Sequence, residues 1–215
     1  EGGGTIPWQG LVHRGMTDID QPHWGGWSGR YSREKIKNAW SKHESVKEDE
    51  VKYDDFAVYI DTVDHWVDPE SGKAYNNTYT PVWRWRRAFF NDFKCRMDWC
   101  VEEFENANHN PVAAIDGDTS EKIHYKEVTA GDTFAFSALG SKDPDGDDIS
   151  FNCWYYPEAG NYHGNVMISQ PSNGKFVVEV PKDASGSEIH VILEIKDDHK
   201  IASLYDYRRI VLTVQ

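Results

Sequence analysis

Carboxylates that alternate around a glycine turn are the first feature of the sequence that could form a chemical site. The segment 143–148 (DPDGDD) places acidic side chains at alternate positions on both sides of a glycine. Oxygens that converge in this way are the hard ligands that Ca²⁺ requires. The loop with Asp197 and Asp198 and the linker with Asn108 and Asn110 are expected at the same end of the fold. The alternative is a tight turn held by its own hydrogen bonds, with no metal. The predicted ligands are Asp143, Asp145, Asp147 and Asp197.

A second candidate is the segment 22–31 (PHWGGWSGRY), which sets two indoles among glycines that allow tight backbone turns. Flat indoles can stack on the apolar faces of sugar rings, and Arg and His side chains can bind the hydroxyl groups around them. The alternative is a packed loop, because Trp side chains are mostly buried in folded proteins. The predicted substrate contacts are His23, Trp24, Trp27, Arg30 and Tyr31.

A third candidate is the arginine-rich segment 83–87 (WRWRR). Arg84 and Arg87 lie three residues apart and would share one side of a helix. Their guanidinium groups could bind a carboxylate of a glycan or another substrate. The alternative is that they pair with neighbouring carboxylates and only brace the helix, as most surface ion pairs do.

Familiar catalytic motifs are missing from the sequence. It has no G-x-S-x-G nucleophile elbow, no phosphate-binding glycine loop and no H-E-x-x-H zinc motif. Two carboxylates can act as acid and base on a glycosidic bond, but 36 acidic residues leave the choice of a pair open. Asp64 and His65 come nearest to an acid–base dyad, and a surface pair is the alternative. We therefore do not expect this chain to catalyse a reaction by itself.

The charge balance argues against some classes of partner. The chain has 36 acidic and 23 basic residues, which gives a formal net charge of -13 at pH 7. Such a surface would repel a phosphate backbone and lacks the basic stripe of nucleic-acid-binding proteins. The sequence contains no apolar run of about eighteen residues that could span a membrane. We expect neither nucleic acid nor a membrane as a partner. The three Cys residues are expected to be free, buried thiols.

The elements that would position these residues divide the chain in two. In residues 1–108, Ser32 as a helix cap and Glu34 in the first turn predict a short helix over 32–40. Apolar residues that recur mostly three or four apart predict another helix over 49–66. A long amphipathic helix is predicted to begin at Thr80, where a hydroxyl precedes a proline, and to extend to residue 104.

In residues 109–215 the pattern changes to short β-prone runs separated by turn residues. Seven or eight strands in about a hundred residues are typical of an immunoglobulin-like sandwich. The strands are predicted near 112–115, 123–128, 133–138, 149–155, 165–169, 175–180, 189–195 and 208–214.

Several of these segments together resemble a known family, the secreted cellulose-binding proteins that have a nucleoside hydrolase-like domain followed by an all-β domain. The matching motifs are 22–31 (PHWGGWSGRY), 83–86 (WRWR), 91–93 (NDF), 96–99 (RMDW), 107–111 (ANHNP), 141–147 (SKDPDGD) and 207–214 (YRRIVLTV). The Asp-rich strand motif that binds Ca²⁺ in nucleoside hydrolases has no counterpart in these residues. The resemblance therefore implies that this chain is the C-terminal half of such a protein.

The resemblance implies an α+β fold. Residues 1–108 would be the mainly helical and loop-rich C-terminal part of a nucleoside hydrolase-like domain, and residues 109–215 an immunoglobulin-like β-sandwich. It also implies a secreted or periplasmic protein that binds a poly- or oligosaccharide and contacts its own N-terminal half. Two alternatives remain open. The segment could belong to a glycosidase whose catalytic metal lies in the N-terminal half, or to a structural adhesion-like module.

Overall fold

The computed structural model of the protein describes residues 5–12, 15–37 and 57–215. Its helices are α1 (Thr5–Val12), α2 (Thr80–Trp83) and α3 (Arg86–Asp98), followed by a 3₁₀ turn at Phe104–Asn106. Two small antiparallel hairpins precede the main sheets, β1 (Ile36–Lys37) with β2 (Ala57–Val58) and β3 (Asp64–Val67) with β4 (Ala74–Asn77). The remaining strands are β5 (His124–Val128), β6 (Thr133–Ser137), β7 (Ile149–Tyr155), β8 (Met167–Ser172), β9 (Lys175–Glu179), β10 (Glu188–Asp197) and β11 (Tyr205–Val214).

The C-terminal strands form a sandwich of two sheets. One sheet has the order β5-β11-β10-β7 and the other the order β6-β9-β8. All pairs are antiparallel except β11 with β5. Side chains from both sheets meet in one apolar core, to which β10 contributes Ile189, Val191, Leu193 and Ile195. The alternation along these strands, which is the period of a strand with one face in the core, explains why the sequence predicted this region well.

The prediction of an α+β fold with a mainly helical first part is wrong. The described residues form eleven strands and only three α-helices. Within the segments predicted as helices, Ile36–Lys37, Ala57–Val58 and Asp64–Val67 are strands. In β3, buried Asp64 and half-buried Trp66 alternate with exposed neighbours, so strand pairing prevails over the helical spacing of apolar residues. The parts of those two segments that fall within residues 38–56 lie outside the described residues.

The helix predicted from Thr80 begins there but is interrupted. Residues 84 and 85 separate α2 from α3, and α3 ends at Asp98. The face of α3 that packs inward carries Ala88, Asp92 and Cys95 rather than the large apolar residues. Small side chains on this face allow the helix to approach its neighbours closely. Three large apolar residues at helical spacing, Phe93, Met97 and Phe104, are exposed instead.

The outer face of the four-stranded sheet is also covered. Met16, Trp27 and Trp85 form a second buried cluster with Tyr156 and Tyr207 of the sandwich. The sheet is therefore sandwiched between its own core and the segments that precede it. Among the described residues, no helix is long and apolar enough to cross a membrane. The three Cys residues are free as predicted, but Cys100 is exposed and Cys153 is half-buried rather than buried.

Arg209 joins the N-terminal loop to the sheet. Its fully buried guanidinium group donates hydrogen bonds to the carbonyl oxygens of Met16 (2.6 Å) and Gly25 (2.8 Å). A third nitrogen, Nη1, lies 3.0 Å from Nδ1 of His190. The other ring nitrogen of His190 lies 2.8 Å from a carboxylate oxygen of Glu188. A neutral imidazole satisfies both contacts, since it accepts from Arg209 at Nδ1 and donates to Glu188 at Nε2.

This arrangement predicts a loss of stability in mild acid. Burial lowers the pKa of His190 to about 4, and the charge of Arg209 adds to the effect while Glu188 opposes it. Burial and nearby Arg33 likewise lower the pKa of His23 to about 4. Because an unfolded His takes up a proton near pH 6.5, the unfolded state gains protons first as the pH falls from about 6.5 to 4.

We expect the free energy of unfolding, measured by urea titration, to fall by about 2 kcal/mol between pH 7 and pH 5 on account of His190. The His190→Gln variant should lose this part of the pH dependence. A pH profile that is the same in both proteins would show that His190 is not buried in its neutral form.

Candidate functional site

A cleft of about 620 Å³ lies between the β3–β4 hairpin, the start of α3 and the outer face of the sheet. Its volume lies in the range typical of ligand pockets. Among its lining residues are Trp66, Asp68, Tyr75, Trp83, Arg84, Arg86, Arg87, Asn152, Trp154, Glu194 and Tyr207.

One side of the cleft is an aromatic wall formed by Trp66, Tyr75 and Trp83. The register of the hairpin places Trp66 opposite Tyr75, and their rings stack with centroids 5.9 Å apart. Trp83 of α2 meets the edge of Tyr75 at 5.5 Å, and Tyr79 stacks on Trp83 at 5.6 Å. The three wall residues are half-buried, so they expose part of their ring surface. Such a wall offers flat apolar surface to a ligand.

The opposite side belongs to the sandwich and includes polar as well as aromatic side chains. Asn152 of β7 and Glu194 of β10 are cross-strand partners, and both line the cleft. Burial raises the pKa of Glu194, although hydrogen bonds with Asn152 and Tyr207 oppose the shift. These groups offer donors and acceptors to a ligand whose apolar face rests on the aromatic wall.

Arg84 connects the two sides. Its guanidinium group lies 4.2 Å from the ring centroid of Tyr156 and 4.7 Å from that of Trp154. One nitrogen contacts a carboxylate oxygen of Asp64 at 2.9 Å. Asp64 is fully buried and also accepts from Arg30 (2.7 Å) and from the Tyr156 hydroxyl (2.6 Å). The carboxylate of Asp64 therefore fixes the position of the Arg84 guanidinium group at the cleft.

Charged side chains lie beside the aromatic wall and the hairpin turn. Arg86 lies 5.8 Å from the ring centroid of Trp83, and Lys73 lies 5.0 Å from that of Tyr75. Arg87 forms an ion pair with Glu70 from the turn of the hairpin. Arg84 and Arg87, which the sequence placed together, both line the cleft, although Arg84 precedes α3.

The predicted substrate contacts lie elsewhere. Trp27 is fully buried, and Trp24 and His23 are only 4% and 6% exposed. Trp27 meets the edges of Phe89 and Tyr207, and Trp24 packs edge-on against His190. Glycan contact by residues 22–31 stays a prediction. The burial of Trp24 and Trp27 does not support it. The other two predicted contacts also have internal partners. Arg30 pairs with Asp64, and the Tyr31 hydroxyl donates to the Ser28 carbonyl.

The predicted metal ligands are near one another but differ in their bonding. Asp145 accepts hydrogen bonds from the backbone of His109 and contacts its ring nitrogen. Asp197 accepts from the side chain of Asn108 and from two backbone amides. Asp143 accepts from the amides of Asp145 and Asp147 through one oxygen only. Within the described ranges, no three acidic, His or Cys side chains are grouped to hold a metal ion.

Sequence reasoning missed the aromatic wall because Trp66 and Tyr75 are separated by a turn and come together only in the hairpin. A signal was nevertheless present. Two short runs that contain aromatic residues flank the segment 68–73 (DPESGK), whose composition is typical of a turn.

The comparisons with known proteins confirm the resemblance. Residues 133–214 match the model of the C-terminal domain of the cellulose-binding protein Sde0182. No curated protein matches the chain. The chain is 32% identical to a nucleoside hydrolase-related hypothetical protein from Saccharophagus degradans that is associated with carbohydrate metabolism. That match has a TM-score of 0.81 and covers 98% of this chain and 47% of the other, so this chain spans about half the length of that relative.

Two further structural matches are weak. An endo-fucoidan hydrolase of glycoside hydrolase family 107 is 14% identical over 53% of this chain and 15% of its own, with a TM-score of 0.34. The M1 domain of titin is 10% identical over 48% of this chain and 94% of its own, with a TM-score of 0.29. These scores are too low to support an argument about fold or function.

Proposed function

We propose that the chain binds a poly- or oligosaccharide in the cleft beneath the β3–β4 hairpin. The observation that carries the proposal is the aromatic wall of Trp66, Tyr75 and Trp83 opposite the polar side chains of Asn152 and Glu194. A sugar ring has an apolar face and a rim of hydroxyl groups. It can therefore rest one face on the wall while its hydroxyl groups bond to Asn152 and Glu194.

The names of the relatives support this class of ligand. The matching family model is that of a cellulose-binding protein, and the Saccharophagus degradans protein is associated with carbohydrate metabolism. Both descriptions are consistent with an exported protein, and the chain spans about half the length of the Saccharophagus degradans relative. We accordingly propose that the chain acts outside the cytoplasm, together with an N-terminal half of the same protein.

The cleft can be tested with paired tryptophan variants. We expect native affinity electrophoresis in cellulose, xylan and pectin derivatives to retard the wild-type chain in at least one gel. Trp83→Ala removes an indole from the wall and should weaken binding about tenfold or more, which corresponds to ~1.4 kcal/mol. Trp8→Ala is the matched control, because Trp8 is 39% exposed and lies outside the cleft lining.

A second cleft variant distinguishes the loss of a ligand contact from unfolding of the chain. Asn152 is exposed, so Asn152→Ala should leave the fold intact and still reduce retardation. Circular dichroism would verify folding in each case. Equal retardation of wild type, Trp83→Ala and Asn152→Ala would show that the cleft is not the binding site. If none of the polysaccharides retarded the wild-type chain, the proposed carbohydrate binding would be wrong.

A glycosidase is the second candidate, and Glu194 is the observation that favours it. A carboxyl group with a raised pKa at a ligand cleft is suited to donate a proton to a leaving group. In this proposal the metal site would lie in the N-terminal half of the longer protein. The test is hydrolysis of oligosaccharides and nucleosides by that full-length protein. Activity that is unchanged in Glu194→Gln would exclude this role for Glu194.

A further inference from the structure

Three side-chain oxygens in one region are buried without a hydrogen-bond donor. They are Oδ1 of Asn108, Oδ2 of Asp143 and Oδ2 of Asp147. A buried polar atom without a partner costs about 1–3 kcal/mol, and more when it carries charge, so native proteins rarely leave several together. A ligand that supplies positive charge would satisfy all three atoms.

Hydrogen bonds bring these oxygens to one end of the sandwich. Asn108 is only 5% exposed, and its Nδ2 donates to Asp197 and to the carbonyl of Ala202 at 3.0 Å each. The two ends of a planar amide point apart, so Oδ1 is directed away from those partners. The next residue, His109, is bonded to Asp145 in the acidic loop. The linker, the acidic loop and the β10–β11 loop therefore meet here.

The electrostatics are those of carboxylates that lack a counterion. The charges of Asp145 and Asp147 act on Asp143, and the charge of Asp143 acts on Asp197. The carboxyl groups of the two loops are thus close enough to repel one another. No basic side chain is an ion-pair partner of Asp143, Asp147 or Asp197 among the described residues.

We propose that a calcium ion binds Oδ2 of Asp143, Oδ2 of Asp147 and Oδ1 of Asn108. Main-chain oxygens and water would complete the six to eight oxygen ligands that Ca²⁺ takes. The set has only two carboxylates, which is consistent with the absence of a group of three acidic, His or Cys ligands among the described residues. It replaces Asp145 and Asp197 of the predicted set, because both oxygens of each of those carboxylates already have hydrogen-bond partners, whereas Asp143 uses only one.

Calcium should therefore stabilise the chain. We expect the Tm of the wild-type chain to rise by about 5 °C or more when Ca²⁺ replaces EDTA at a concentration ~100 times its Kd. The same concentration of Mg²⁺ should have much less effect, because Mg²⁺ demands strict octahedral geometry. A Tm that is identical in Ca²⁺ and in EDTA would overturn the proposal.

A pair of matched variants locates the ion. Asp147→Asn should lose most of the rise in Tm, whereas Asp148→Asn, which removes the same charge from an exposed neighbour, should keep it. Because Asp147→Asn also relieves repulsion, it should fold in EDTA. Equal rises in the two variants would contradict this ligand set.

Terbium luminescence gives an independent measurement. Trp99 donates its indole N–H to the carbonyl oxygen of Asn108 at 2.7 Å, so excitation of Trp99 should sensitise Tb³⁺ bound beside Asn108. Ca²⁺ should displace the signal in wild type and in Asp148→Asn. Asp147→Asn should bind Tb³⁺ at least tenfold more weakly, and an unchanged Tb³⁺ titration in that variant would overturn the assignment.

Discussion

Asp64→Asn is expected to lower the free energy of unfolding by about 3–5 kcal/mol. Asp64 is fully buried and accepts from Arg30, Arg84 and the Tyr156 hydroxyl at 2.6–2.9 Å. The amide in the variant has no charge and presents an NH₂ group to neighbours that are themselves donors. Arg84 would then keep Glu158, at 3.6 Å, as a distant ionic partner.

Urea unfolding of wild type, Asp64→Asn and Asp61→Asn would measure this effect. Asp61 is the matched control because it is exposed and lies three residues away. Its substitution removes the same charge and should change stability by no more than about 0.5 kcal/mol. Equal losses in the two variants would mean that Asp64 does not act as the buried partner of two arginines.

Trp27→Ala is expected to be destabilising to a similar degree, by about 3–5 kcal/mol. The indole of Trp27 is fully buried and packs edge-on against Phe89 of α3 and Tyr207 of β11. Its removal would leave a cavity between the N-terminal loop, α3 and the sheet. The fold cannot close this space easily, because Arg209 fixes the loop to the sheet through the carbonyl groups of Met16 and Gly25.

Differential scanning calorimetry of Trp27→Ala and Trp27→Phe would measure how much the packing of this indole stabilises the fold. The Phe variant keeps an aromatic ring in the cluster and should lose clearly less stability than the Ala variant. Trp8→Ala removes a partly exposed indole and should change stability by about 0.5 kcal/mol or less. A Trp27→Ala protein with the Tm of wild type would show that this indole is not part of the core.

The sequence predicted the sandwich better than the first part of the chain, and the surroundings of Trp27 and Asp64 show why. In β10 the residues that enter the sandwich core, Ile189, Val191, Leu193 and Ile195, alternate along the strand, so local pattern and final structure agree there. Around Trp27 and Asp64 the structure depends on contacts with residues that are distant in sequence, such as Tyr156 and Tyr207. A local pattern cannot report such contacts, and helical spacing of apolar residues was therefore misleading there.

The candidate site likewise depends on contacts between residues that are distant in sequence. The Gly-Trp loop was conspicuous in the sequence because its motif is contiguous, yet its indoles are buried in the structure. The cleft is assembled from a hairpin, a short helix and two strands of the sandwich. Only Arg84 and Arg87 were singled out in advance as a possible binding pair, because they lie three residues apart. Metal binding by the acidic loop stays a prediction, and the hydrogen bonds that occupy Asp145 and Asp197 were not predictable from spacing.

The most direct test of the account is hydroxyl-radical footprinting of the wild-type chain with and without an oligosaccharide derived from the polysaccharide that retards it. We predict that oxidation of Trp66, Tyr75 and Trp83 falls when the sugar is present. Oxidation of Trp8, which lies outside the cleft, should be unchanged. Protection of other surfaces while the three wall residues stay fully reactive would contradict the assignment of the cleft as the carbohydrate site.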